Sequence, residues 1–292
     1  MTTAAPAAVR LGLIGVGIAR SRAPELHRLA GQLCGIRVTY DLIALESDAP
    51  EAFDAALAAC GARGYAGVNV THPFKERAAG AVRNLPEHLR QLGAVNTIRF
   101  EGGAAAYGFN TDYTGFKRAY RNGLAYAPGV VAIIGTGGVG RAIAFALVDL
   151  GVTELRLFDL DRSRCERLLL ALQPHARVPV VLCEHLEEAI ADADGLVNAT
   201  PLGMHHHPGT PIPAAMIGAQ RWVFDAVYTP TRTHFLQDAT AAGLEVLSGY
   251  ELFFYQGVDA FEIFTGVPVD EARLRDALTE PSPEPSASDR RG

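Results

Sequence analysis

The chain has 292 residues, 49% of them hydrophobic, enough for one large core or two ordinary ones. A formal net charge of -6, a pI near 5.8 and arginines scattered along the chain exclude a protein drawn by global attraction to nucleic acid or to an anionic membrane, so a small-molecule partner is expected. Cys34, Cys60, Cys165 and Cys183 stand at wide spacings without a CxxC, which points to reduced thiols in core or helix positions of a cytoplasmic protein, with no disulfide framework and no metal.

The N-terminal MTTAAPAAVR lacks the basic start and apolar run of a signal peptide, and no later run approaches the ~20 apolar residues of a membrane span. The stretch LGLIGVGIARS, from Leu11 to Ser21, imitates a dinucleotide-binding turn, and an acid, Asp41, follows on the next expected strand. Arg20 stands where the third glycine belongs, so this is read as a strand, loop and helix that bind something else. RVTYDLIAL and GYAGVNV continue the alternation of strands with alanine- and leucine-rich helices, and GAVNTIRF and AAAYGFNTD form an expected hairpin about Glu101, Gly102 and Gly103.

A second series, VVAIIGTG, ELRLFDLD, PVVLC, GLVNAT, RWVFDAV and GLEVL, gives six short apolar strands separated by helix-length segments, the pattern of a doubly wound parallel sheet. Its first turn carries the complete glycine fingerprint: Gly135, Gly137 and Gly140, with Gly138 and Val139 between them, follow a strand and open a helix. Asp159 falls roughly twenty residues further on, where a carboxylate receives ribose hydroxyls. An acid there repels the 2′-phosphate of NADP, so NAD is the expected cofactor; NADP is the rival because Arg162 and Arg164 follow closely.

Candidates for chemistry lie in the first half. GVNVTHPFKERA puts Asn69, Thr71 and Lys75 at a strand's C-terminal end, with Thr71 also a credible N-cap for the next helix. GAVNTI adds Asn96, and GFNTDYTGF adds Asn110, Thr111 and Asp112. Amides, hydroxyls, one amine and one carboxylate suit a polyhydroxylated ring. The run MHHHPGTP reads as a loop rim, because three consecutive histidines do not aim at one ion and no other ligand is spaced beside them.

GVNVTHPFK, GAVNT, GxNTDxxGF, GTGGVG, NATPLGM and YQGVDAF, in this order, resemble the shikimate dehydrogenase family in its broad sense, including quinate/shikimate dehydrogenases, over about Leu11 to Gly266. The resemblance implies an α/β fold of two parts, an N-terminal α/β substrate domain and a Rossmann domain with a doubly wound parallel sheet, with the cleft between them. The expected divisions are 9–112 for substrate, 113–247 for the dinucleotide, 248–278 for helices returning to the substrate domain, and a disordered tail over 279–292. It implies that Lys75 and Asp112 are the catalytic pair for reversible oxidation of a ring alcohol. Ser21, Thr71, Asn96, Tyr228 and Gln256 would contact the substrate, and Thr200 and Met204 would meet the nicotinamide half of the cofactor.

The loop after the first strand departs from the family pattern. It reads SRAP, so Ser21 matches but Ala23 replaces a second hydroxyl expected at the substrate carboxylate; Arg20, Arg22 and Tyr228 are the candidate compensators. Shikimate or quinate is the expected substrate, in a monomer or homodimer. The alternatives are a dehydrogenase of an amino-substituted or otherwise altered cyclic acid, and a non-catalytic dinucleotide sensor.

Overall fold

The computed structural model describes residues 7–279; the tail expected over 279–292 lies outside them from residue 280 onward. In the first half, β1 (Ala8–Val16), α1 (Ala23–Leu33), β2 (Arg37–Leu45), α2 (Pro50–Ala62), β3 (Gly67–Val70), α3 (Lys75–Ala81), α4 (Glu87–Leu92), β4 (Thr97–Glu101) and β5 (Ala104–Phe109) build a five-stranded sheet of order β2-β1-β3-β4-β5. The first three strands are parallel, and β4 and β5 form the antiparallel hairpin. β3, buried at all four positions, supplies the site from its C-terminal end, where the chain turns into α3.

α5 (Thr111–Gly123) leads to the second half, which runs β6 (Val130–Ile134), α6 (Gly138–Asp149), β7 (Glu154–Phe158), α7 (Arg162–Leu172), β8 (Val180–Leu182), α8 (Leu186–Ile190), β9 (Gly195–Asn198), β10 (Trp222–Asp225), α9 (His234–Ala241) and β11 (Glu245–Ser248). All six strands are parallel in the order β11-β10-β9-β6-β7-β8, the doubly wound arrangement with its switch point between β6 and β9. α10 (Gly249–Thr265) is apolar nearly all round and accordingly buried; it packs along α5 and α1, ends at Gly266 in the left-handed region, and is followed by α11 (Glu271–Thr279).

Two local expectations are corrected. Thr71 caps no helix: α3 opens at Lys75 after Phe74, and Thr71 belongs to the preceding turn, its carbonyl accepting the Phe74 N–H at 3.0 Å. Cys60 and Cys165 are buried and Cys34 closes α1, but Cys183 lies half-buried just past the end of β8, because β8 is too short to reach it.

Candidate active site

The loops that leave the C-terminal ends of β1, β3, β6 and β10 converge with α5 and α10 on a cavity of about 170 Å³. Ligands of open α/β sheets bind at such ends. Ser21, Thr71, Lys75, Asn96, Asp112, Tyr228 and Gln256 all line this cavity, and Val139 reaches it from the glycine turn.

Lys75 starts α3 and Asp112 lies in the first turn of α5, where a carboxylate is favoured by the helix dipole. Both are buried, and Lys75 Nζ donates to Asp112 Oδ2 at 2.5 Å. The lysine stem lies against the other half of the molecule: a Cβ at Gly138 would stand 3.3 Å from Lys75 Cδ. The amine is therefore held between the substrate-side sheet and the first turn of α6.

Asn96 organises the surrounding polar wall. Its Oδ1 accepts the Thr111 N–H at 2.7 Å, the first backbone amide of α5, and also the hydroxyls of Thr97 and Thr111; its Nδ2 donates to Thr111 Oγ1 at 3.0 Å and Gln256 Oε1 at 3.3 Å. Asn110 caps the same helix through the Tyr113 N–H. Asn96 thus fixes the turn carrying Asp112 as well as lining the cavity. Asn69 extends the network, donating to Thr97 Oγ1 and accepting from the Tyr40 hydroxyl.

At the other end, Ser21 Oγ accepts the Ala23 N–H at 3.3 Å, which leaves its own proton free to donate. Tyr228 stacks on Phe253 with ring centroids 4.9 Å apart. Burial pushes its hydroxyl above the ordinary tyrosine value, with Arg22 and Ser21 pulling the other way. Arg22 itself is committed to Glu25 and to the Leu278 carbonyl, and Arg20 is exposed. Of the three candidate compensators for Ala23, Tyr228 alone lines the cavity.

The second glycine turn has the form a dinucleotide requires. Gly135 adopts φ +93°, a Cβ at Gly140 would fall 2.0 Å from the Gly135 carbonyl oxygen, and a Cβ at Gly137 would meet nothing within 4 Å. The first glycine makes the turn, the last lets α6 approach, and the middle one leaves open space in front of a helix N-terminus that no side chain caps. Asp159 faces this turn but is partly engaged, since Oδ2 accepts from the Thr136 N–H and hydroxyl and Oδ1 accepts from the Asp161 N–H. Of the roughly four acceptor positions on this carboxylate, three are engaged in this arrangement. Arg162 pairs with Glu166 and Glu184 and Arg164 with Asp161, all at solvent-exposed positions. In the first turn, by contrast, Gly15 is the penultimate residue of β1, where a Cβ would strike Thr71 at 2.3 Å.

Thr200 belongs to a tight loop. Its N–H and hydroxyl both donate to Asn198 Oδ1, and its methyl packs on Gly135, while Met204 is 40% exposed at the loop's outer side. Asn198 Nδ2 donates to Asp225 Oδ1, which also takes the Val227 N–H, and Asp225 Oδ2 accepts from the Thr233 hydroxyl. This buried carboxylate ties the Thr200 loop to the Tyr228 loop. Sequence reasoning missed it, although Asn198 and Asp225 each end an apolar strand, the position from which polar groups reach a site. The three histidines are exposed, and among the described residues no three His, Cys, Asp or Glu are grouped to hold a metal. No described helix is long and apolar enough to cross a membrane.

Comparison with known proteins finds the shikimate dehydrogenase substrate binding domain over residues 13–98, the shikimate 5'-dehydrogenase C-terminal domain over 249–279, and the ornithine cyclodeaminase/mu-crystallin family over 125–219. A quinate/shikimate dehydrogenase (NAD(+)) of Corynebacterium efficiens is 39% identical over 273 residues, covering 91% of this chain and 96% of that protein. Quinate dehydrogenase from Corynebacterium glutamicum in complex with NAD superimposes with a TM-score of 0.85 at 39% identity, over 93% of this chain and 98% of the other. Shikimate 5-dehydrogenase from Thermus thermophilus, in complex with NADP(H) and shikimate, gives 0.81 at 32% identity, over 92% and 98%.

Proposed function

From the premise that the chain belongs to the shikimate dehydrogenase family, we propose that it catalyses NAD(P)-dependent, reversible oxidation of a ring alcohol of quinate or shikimate to the 3-dehydro ketone. The observation that carries this reading is the buried Lys75–Asp112 pair, set in a cavity that Val139 of the glycine turn also lines. Residues 9–112 serve as the substrate domain and 113–247 as the dinucleotide domain, and the helices of 248–278 return to the substrate side.

The bound nicotinamide supplies the two-electron acceptor for a hydride from the alcohol carbon. The chain's own residues do the rest. As the carbon–hydrogen bond breaks, the hydroxyl proton passes to the Lys75–Asp112 pair, and the carbonyl oxygen that forms lies against Lys75 Nζ; in reduction the proton returns from Nζ to that oxygen. Asp112 orients the amine and accepts a hydrogen bond from a neighbouring ring hydroxyl. Thr71, Asn96 and Gln256 hold the ring, and Ser21 and Tyr228 hold the carboxylate. Gly135, Gly137, Gly138, Val139 and Gly140 cradle the pyrophosphate, Asp159 holds the ribose, and Thr200 and Met204 flank the nicotinamide. The carboxylate of Asp159, which would repel a 2′-phosphate, favours NAD over NADP.

The test is a steady-state assay of reduced nicotinamide with quinate and shikimate each crossed against NAD and NADP. Turnover is expected with NAD on at least one acid. Failure of every combination, with dinucleotide still bound, would replace the reading with a differently substituted cyclic acid or with a sensor.

A further inference from the structure

Ala23 leaves Ser21 as the hydroxyl that this loop brings to the cavity, and the residue between them breaks a local rule. Arg22 is the N-cap of α1, a position that favours Ser, Thr, Asp or Asn and where a cation faces the positive end of the helix dipole; its side chain makes no cap hydrogen bond. A residue set against local preference points to a tertiary reason. The partners of the guanidinium supply it. Nε donates to Glu25 Oε2 at 2.9 Å, in the first turn of the same helix, and Nη2 donates to the Leu278 carbonyl at 3.0 Å, 256 residues along the chain. That carbonyl is among the last four of α11, which lack partners within their own helix and favour a cation.

A third contact leads to the substrate wall. The guanidinium carbon lies 5.9 Å from the ring centroid of Phe253, and Phe253 stacks on Tyr228 with an interplanar angle of 12°. Phe253 and Tyr228 line the cavity together with Ser21, whereas Arg22 does not. Arg22 therefore stands behind the carboxylate end of the cavity, joining the Ser21 loop, the aromatic pair and the end of α11 at one group. The side chains of Arg22 and Glu25 are 34% and 28% exposed, so solvent screens their ion pair and little global stability rests on it.

We propose that Arg22 is a positioning residue, fixing the Ser21 loop and the Phe253–Tyr228 stack against the C-terminal end of α11 and so making that helix part of the substrate site. It acts through Ser21 and Tyr228 and does not touch the acid itself. The inference rests on the dehydrogenase reading of the site.

The test compares kcat, KM for the preferred acid and the calorimetric Kd of NAD in the wild type, Arg22→Met, Arg22→Lys and Glu25→Gln. Arg22→Met keeps much of the side-chain length and removes its donors; KM should rise about ten-fold, the effect of one misplaced hydrogen bond to a charged group, while kcat and the NAD Kd stay within about two-fold. Arg22→Lys, which keeps the charge without the planar fork, should fall between. Glu25→Gln supplies the sign. If Arg22 works by position, loosening it raises KM; if Arg22 swings to the acid, removing its anionic partner lowers KM. A rise below about three-fold in Arg22→Met, a loss of kcat or of NAD affinity as large as the rise in KM, or an unchanged or lower KM in Glu25→Gln each overturns the inference while leaving the activity standing. Turnover of neither acid by the wild type removes the activity reading and this one with it. Should Arg22→Met not fold, the other two variants decide: KM should rise in both, and an unchanged KM in either overturns the proposal.

Discussion

Lys75 and Asp112 meet across 37 residues of sequence because β3 and β5 each end beside the cavity and a helix starts from each end. Each helix contributes a first-turn residue, so small rotations of either one move the pair apart. Lys75→Ala should lower turnover by about 10²–10⁴-fold, the usual effect of a positioned proton-transfer group, while calorimetry still detects dinucleotide binding; undiminished turnover would remove Lys75 from the mechanism. Ala23→Ser restores a donor at the carboxylate end. It should lower KM for the preferred acid by about ten-fold, and an unchanged KM would show that Tyr228 already meets that need. Lys75, Asp112, Asn96 and Gln256 were legible in the sequence as a set, because they sit in uncommon strings. The burial of His27 was not, because a histidine in a helical segment looks the same whether it faces solvent or the core.

At the scale of elements, α5 and α10 decide where Asp112 and Gln256 stand at the cavity. A Cβ at Gly115 would lie 2.7 Å from the Gln256 backbone nitrogen, so the two helices touch backbone to backbone. Gly115→Ala should push α10 outward, costing about 1–3 kcal/mol of stability in urea unfolding and raising KM as Gln256 withdraws from Asn96. A variant with wild-type stability and KM would show that the helices tolerate separation. The alternation of short strands and helices announced these elements, and periodicity placed the six second-series strands. It did not reveal where α3 begins: Thr71, shortly before a glutamate-containing helix start, has the composition of a cap, but the turn of Thr71–Phe74 intervenes.

For the whole molecule, two buried groups give opposing responses to acid. His27 has a folded-state pKa of about 3 against an ordinary 6.5, so its contribution is complete above 6.5 and is lost as pH falls toward 3. Asp225, raised by burial from 3.8 to about 6, behaves in the opposite sense: its contribution is present below 3.8 and lost as pH rises through 6. Each slope is at most about 1.4 kcal/mol per pH unit. Unfolding free energies measured across this window should therefore fall more steeply on acidification in Asp225→Asn than in the wild type, and less steeply in His27→Gln. Parallel curves for all three proteins would refute both assignments.

The sequence by itself determined the parts that depend on neighbours along the chain. Strand and helix periods follow from alternating burial, the complete glycine turn is distinguishable from its decoy by one missing glycine, and the motif strings carry Lys75 and Asp112. Only the tertiary structure decided what depends on approach between distant segments. It commits three of the Asp159 acceptor positions to its own chain, ties the Thr200 and Tyr228 loops through Asp225, and buries His27 against Tyr40 with Nδ1 unpaired. The physical reason is the same in each case: whether a polar atom is free, paired or stranded is set by which groups packing brings within about 3 Å, and spacing along the sequence does not encode that distance.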